Sequence, residues 1–125
     1  MSAKILVVDD SSLARRTVRQ LLEQMGHTVE EAVDGPEALE RYVLNHHDLV
    51  VLDLVMHGMY GLEVLGKFME LNPQLPVIVV TADIQKTTRE DAKAAGAAAV
   101  INKPLKKEEL TSVLDVVLTG GTAWT

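Results

Sequence analysis

The sequence predicts an α/β protein built on a doubly wound parallel sheet, and two observations carry that expectation. Short apolar runs, most of them rich in Val and Ile, recur at residues 4–8, 28–32, 49–52, 77–80 and 98–101, and longer stretches with helical periodicity separate them. Runs of this kind read as strands covered on both faces. Strict β-α alternation then implies right-handed crossovers that lay helices on both faces of the sheet. With 125 residues, 47% of them hydrophobic, the chain suits one domain with one core.

Each element has a local reason. The first run, KILVV, stops at the acidic pair Asp9-Asp10. Ser11 or Ser12 can cap the helix that follows, whose inner face is Ala14, Val18, Leu21, Leu22 and Met25, and Gly26 is its natural stop. After the second run, Gly35-Pro36 opens a helix with Pro at a tolerated first position and Ala38, Leu39, Tyr42 and Val43 inward. After the third, Leu62, Leu65, Phe68 and Met69 mark a helix that Asn72-Pro73 ends. Residues 84–95 are helix-compatible but apolar mainly through alanine. Leu110, Val113, Leu114 and Val117 mark the last helix, ended by Gly120-Gly121. A single domain over 1–125 is expected, with its core at about 4–118 and a short tail at 119–125.

The totals exclude several function classes. Lys plus Arg is 12 and Asp plus Glu is 18, a net charge of −6 with no basic run. That argues against nucleic acid and anionic membranes as partners. Without cysteine there is no disulfide, thiolate zinc site or cysteine nucleophile. The N-terminus is neither a signal peptide nor a membrane span. A cytoplasmic protein is the simplest expectation.

In open parallel sheets, ligands bind at the carboxyl ends of the strands. The first strand ends in Asp9-Asp10, the third in Asp53, the fourth in Thr81 and the fifth in Lys103. Three carboxylates, a hydroxyl and an ammonium are therefore expected on one rim. The acids would repel one another and raise one another's pKa values unless a cation intervenes. All-oxygen ligands favour Mg²⁺. Lys103 adds a point charge suited to phosphate and Thr81 a hydroxyl donor. Such a site suits phosphoryl transfer, with Asp53 as the candidate nucleophile that becomes an aspartyl phosphate.

Around these residues the chain resembles the receiver domain of two-component response regulators, from Lys4 to about Leu118. The motifs are VVDDS at 7–11, LDLVMHGMYGLE at 52–63, VVTAD at 79–83 and NKPL at 102–105. The resemblance implies a flavodoxin-like (βα)5 fold with strand order 2-1-3-4-5. It implies a phosphoacceptor switch rather than a metabolic enzyme, with Asp53 as acceptor and Mg²⁺ as cofactor. Asp10 resembles a direct metal ligand, Asp9 the acid that helps hold the ion, and Val55 would add its backbone carbonyl. Thr81 resembles the switch hydroxyl and Lys103 the lysine that pairs with the phosphoryl group. Pro104 resembles a proline whose preceding bond is cis in many relatives.

Three departures from the family pattern involve four residues. His57 stands where Pro is usual. Val100 replaces the switch aromatic, which leaves the fourth-strand loop to carry the conformational signal. Val55 and Asp83 occupy the variable positions that tune phosphoryl lifetime.

The expected partners are a histidine kinase or phosphotransfer protein and a downstream protein. A weak or phosphorylation-dependent dimer is compatible. A stand-alone switch of the chemotaxis type and a phosphorelay intermediate both fit. The rivals are a phosphorylation-independent interaction module and an Asp-nucleophile phosphohydrolase. The latter usually carries its nucleophile after the first strand in a D-x-D arrangement, where this chain has D-D. Among the remaining residues, His46-His47 suits a helix end by its dipole. Met56, Met59 and Tyr60 read as loop packing or an adaptable contact surface. Nothing in the sequence chooses between a free and a folded-back Trp124.

Overall fold

The structure, a computed structural model, describes residues 2–56 and 60–124. His57 and Met59 lie outside the described residues. Strands and helices alternate as β1 (Lys4–Val8), α1 (Ser12–Gln24), β2 (Thr28–Ala32), α2 (Gly35–Asn45), β3 (Leu49–Asp53), α3 (Gly61–Leu71), β4 (Val77–Thr81), α4 (Lys86–Ala94), β5 (Ala99–Asn102) and α5 (Lys107–Val117). The strands pair in parallel in the order β2-β1-β3-β4-β5, which is the flavodoxin-like topology. Among the described residues no helix is long and apolar enough to cross a membrane.

Alternation along the strands divides the core in two, because successive side chains point to opposite faces. Leu6, Val8, Val50, Leu52, Val77 and Val79 face one way and meet Phe68, Leu65 and Tyr42 from α3 and α2. Ile5, Val7, Leu49, Val51, Ile78 and Val80 face the other and meet Leu22, Leu110 and Leu114 from α1 and α5. β3 and β4 are buried along their whole length, as their apolar runs require. β2 lies at an edge and carries Glu30 and Glu31, half-buried, at its middle.

Local signals set the helix ends. The Ser11 side chain accepts from Ala14 N–H at 3.2 Å and caps α1. Asp34 accepts from Glu37 N–H at 2.8 Å, and Glu37 reaches back to Val33 N–H at 3.0 Å, which fixes the start of α2. Gly26, with φ at 94°, ends α1 in a conformation that side-chain-bearing residues avoid. α4 starts two residues later than the helix-compatible stretch because Asp83 folds the loop before it.

The two histidines part company. His46 ends α2 at φ 50° and donates its N–H to Tyr42 O. His47 does not serve the helix end. It is buried, its ring lies along Tyr42, and its Nε2 is 2.6 Å from Glu30 Oε1. The tail folds back, with Ala123 N–H donating to Ala98 O at 2.9 Å.

Candidate functional site

Strand register brings the polar ends together. Val8 pairs with Leu52, Asp53 with Val80 and Thr81 with Asn102, so β1, β3, β4 and β5 finish along one rim. Asp9 and Asp10 leave β1 there, Asp53 and Thr81 are the last residues of β3 and β4, and Lys103 follows β5 directly.

Each side chain is held by its own turn. Asp9 N–H donates to Ala32 O at 3.2 Å, which keeps the residue beside β2. Its Oδ1 accepts from Ser11 N–H at 2.9 Å, so the start of α1 is folded over the carboxylate. Arg15 secures the same turn, donating from Nη1 to Asp9 O at 2.8 Å and from Nε to Glu31 at 2.9 Å. Asp53 Oδ1 accepts from Val55 N–H at 3.3 Å. Gly61 then brings α3 close to the strand end. Its N–H donates to Leu54 O at 2.9 Å, and a Cβ there would lie 2.7 Å from that oxygen.

Lys103 joins the strands. Its Nζ lies 3.3 Å from Asp9 Oδ2 and 3.7 Å from Asp53 Oδ2. Its backbone N–H donates to Thr81 O at 2.8 Å, tying the loop after β5 to the end of β4. The Lys103–Pro104 peptide bond is cis. Thr81 is fully buried, and its Oγ1 accepts from Asp83 N–H at 3.1 Å.

The electrostatics follow from burial. Asp53 is only 7% exposed. Burial first, then the charge of Asp9, holds its carboxyl above the usual aspartate range; Lys103 and the Val55 N–H offset this only in part. Carboxylate oxygens of Asp9, Asp10 and Asp53 lie within 4.8 Å of one another. Three carboxylates against the single ammonium of Lys103 leave two negative charges, so a divalent cation balances the set. The donors are all hard oxygens, with no imidazole or thiolate among them, and therefore fit Mg²⁺.

The side chains at the other expected positions are engaged elsewhere or exposed. Val100 is buried on the face shared with α4. The Val55 side chain is 65% exposed. Met56 is buried and Tyr60 half exposed. Both carboxylate oxygens of Asp83 are engaged by the loop itself, Oδ1 by Gln85 N–H at 2.9 Å and Oδ2 by the Thr88 hydroxyl at 2.6 Å. The Thr88 hydroxyl first, then the Gln85 N–H, hold that carboxyl below its usual range. Asn102 fastens the loop to β5, donating to Asp83 O at 3.0 Å. Sequence reasoning missed Arg15, Thr88 and Asn102, whose partners lie on other elements or in the folded loop. Ser11 was legible as a cap but not as a donor to Asp9.

Two cavities bracket the molecule. One of about 280 Å³ opens beside the acids, lined by Val7, Val18, Val51 and Leu105 with Asp9, Asp53 and Lys103 at its polar side. A larger one of about 580 Å³ lies at the amino ends of the strands, beside Ala3, Pro76 and Ala98, and holds no acid cluster. The acid cluster borders the first.

Comparison with known proteins gives the family and the fold. The family described as response regulator receiver domain matches residues 5–115. The two-component response regulator PhoP of Pseudomonas aeruginosa is 36% identical over 115 residues, covering 92% of this chain and 51% of PhoP. The response regulator MprA of Mycobacterium ulcerans is 39% identical over 118 residues, covering 94% and 51%. The chain thus spans about half the length of these curated relatives. Among solved structures, a LuxR-family two-component response regulator from Aurantimonas superposes with TM-score 0.93 at 28% identity, covering 99% of this chain and 90% of that one. The Vibrio cholerae chemotaxis protein CheY4 gives TM-score 0.87 at 31% identity, covering 92% and 98%.

Proposed function

The chain belongs to the response regulator receiver domain family, and from that premise we propose that it is a phosphorylation switch whose acceptor is Asp53. The donor is phosphohistidine on a histidine kinase or phosphotransfer protein. A carboxylate oxygen of Asp53 forms the new P–O bond while the donor's P–N bond breaks, and the bonding pair stays on the imidazole nitrogen. The product is an aspartyl phosphate.

Asp9, Asp10 and Asp53, with the Val55 carbonyl, would hold Mg²⁺, which when bound offsets charge on the transferred group. Lys103 already spans Asp9 and Asp53 and is placed to pair with a phosphoryl oxygen. Thr81 Oγ1 accepts from Asp83 N–H, so its own proton remains to be donated toward the phosphoryl group. The new charge biases a two-state element over residues 82–118, and the signal leaves by protein contact. The net charge of −6 supports a protein target for these residues rather than nucleic acid.

The observation that carries this reading is one ammonium within 4 Å of two buried aspartates at the ends of the neighbouring strands β1 and β3. Acids that merely ended strands would sit in solvent, where their charge costs little. Keeping Asp53 buried against that cost supports a chemical role.

The test is phosphorylation by acetyl phosphate with Mg²⁺. The parent chain should gain an acid-labile, hydroxylamine-sensitive label, and Asp53→Asn should gain none. Full labelling of the variant moves the acceptor elsewhere; no labelling of the parent supports a phosphorylation-independent module. Steady turnover of small phosphate esters supports a phosphohydrolase.

Coverage bears on how the switch is used. This chain covers 98% of CheY4, and a chemotaxis-type or relay protein is one reading of the switch. The 51% coverage of PhoP and MprA supports a second arrangement, a receiver within a longer regulator. A pull-down with and without beryllofluoride and Mg²⁺ identifies the partner in either case.

A further inference from the structure

β5 ends the sheet, and an open edge offers unpaired backbone groups to any strand that approaches. This chain covers the edge from both sides. Ala98 O accepts from Ala123 N–H at 2.9 Å, and Ala123 forms a parallel bridge with Ala99. Val100 O accepts from the Arg89 guanidinium at 3.3 Å. The Trp124 ring packs on the core face that contains Val100. The Arg89 guanidinium lies 5.4 Å and the Lys93 ammonium 5.5 Å from the ring centroid. Both cations belong to α4, so helix and tail grip each other across the strand.

We propose that residues 122–124 form a detachable strap over the α4–β5 edge, released when Asp53 is phosphorylated. The release rests on the phosphoacceptor reading above; the seat itself does not. The strap is weakly held. A parallel bridge at Ala123 and one partly buried ring between two cations must offset the ordering of several residues, which leaves an open state within reach.

A continuous set of contacts joins the seat to the rim. Thr81 Oγ1 accepts from Asp83 N–H, the Asp83 carboxylate accepts from the Thr88 hydroxyl, and Arg89 follows Thr88 in α4. A phosphoryl group on Asp53 brings new acceptor oxygens to the rim and competes for the Thr81 hydroxyl. As that hydroxyl turns, the Asp83 turn and the first turn of α4 shift, and Arg89 leaves the ring. Release uncovers the β5 edge and widens the cleft of about 460 Å³ between Arg89, Val100, Asn102, Ser112 and Val116, of which Ala123 forms one wall.

Trp124 is the single tryptophan of the chain, so its emission reports the strap alone. In the full chain, Arg89→Ala with Lys93→Ala should red-shift the emission and increase acrylamide quenching, as the open-to-closed ratio rises roughly two- to fivefold for each cation removed. Ala123→Pro, which removes the N–H donated to Ala98, should act in the same direction. A ring equally shielded in both variants overturns the seat. The parent is then treated with acetyl phosphate and Mg²⁺, and the label on Asp53 is measured separately by mass. Label with increased quenching supports the proposal. Label with unchanged quenching overturns it and leaves the phosphoacceptor reading standing. Absence of label overturns that reading, and the release mechanism falls with it.

Discussion

Lys103 sets one ammonium against two carboxylates, 3.3 Å from Asp9 and 3.7 Å from Asp53, and Asp10 adds a third acid to the cluster. Removing that ammonium leaves the acids to repel one another at short range. Lys103→Met is expected to lower the melting temperature in EDTA and to enlarge the rise produced by Mg²⁺, as measured by thermal scans. An unchanged scan in EDTA would show that the ammonium does not offset the acids. Asp53 has a distinct pH signature. Burial, then Asp9, raises its folded pKa, so the folded state holds the proton more tightly than the unfolded state. The ionised form therefore opposes folding. This penalty is complete above the raised folded pKa and disappears as pH falls below the ordinary aspartate value. Asp53→Asn should melt higher than the parent in EDTA at neutral pH, and the gap should close on acidification. A gap that does not change with pH would assign the effect to something other than charge.

The loop between β4 and α4 shows what an element adds to its residues. α4 lacks a side-chain cap at Gln85. Asp83 supplies the closure from two residues earlier by accepting from Gln85 N–H and the buried Thr88 hydroxyl. Thr88→Val keeps the shape and removes the hydroxyl. It should speed amide hydrogen exchange in the first turn of α4 and leave the global urea midpoint nearly unchanged. Equal protection in parent and variant would mean that Asp83 does not fasten the helix. The strands were legible in the sequence to within one residue, those at 4–8, 49–52 and 77–80 from their Val and Ile runs and the weaker runs at 28–32 and 98–101 from the β-α alternation. The start of α4 was less so. Its apolar face is mostly alanine, and no spacing rule reveals that Asp83 turns toward Thr88. Position 83 read as a residue that tunes phosphoryl lifetime, and nothing in that reading pointed to the closure of a helix.

For the whole molecule, the meeting of Asp9, Asp10, Asp53 and Lys103 was legible because parallel strands with right-handed crossovers end on the same side. The seat of Trp124 was not, since a lone aromatic in a Gly-rich tail has no periodicity to place it. The Glu30–His47 contact was hidden for a related reason, because its partners meet only once β2 and the loop after α2 are packed. Mg²⁺ bound at the proposed site would couple the stability of the entire fold to the ion. A ligand that binds the folded state alone stabilises it by about 2.7 kcal/mol at a hundredfold excess over its Kd. For a domain of this size that is a rise of several degrees in Tm. Mg²⁺ should produce such a rise in the parent chain at matched ionic strength. The matching matters because salt also screens a chain of net charge −6. Asp10→Asn should remove most of the rise, since it takes away one of the three clustered carboxylates while leaving both Lys103 contacts in place. If Mg²⁺ and an equivalent ionic strength of NaCl shift Tm equally, or if Asp10→Asn responds as fully as the parent, the three acids do not bind the ion together.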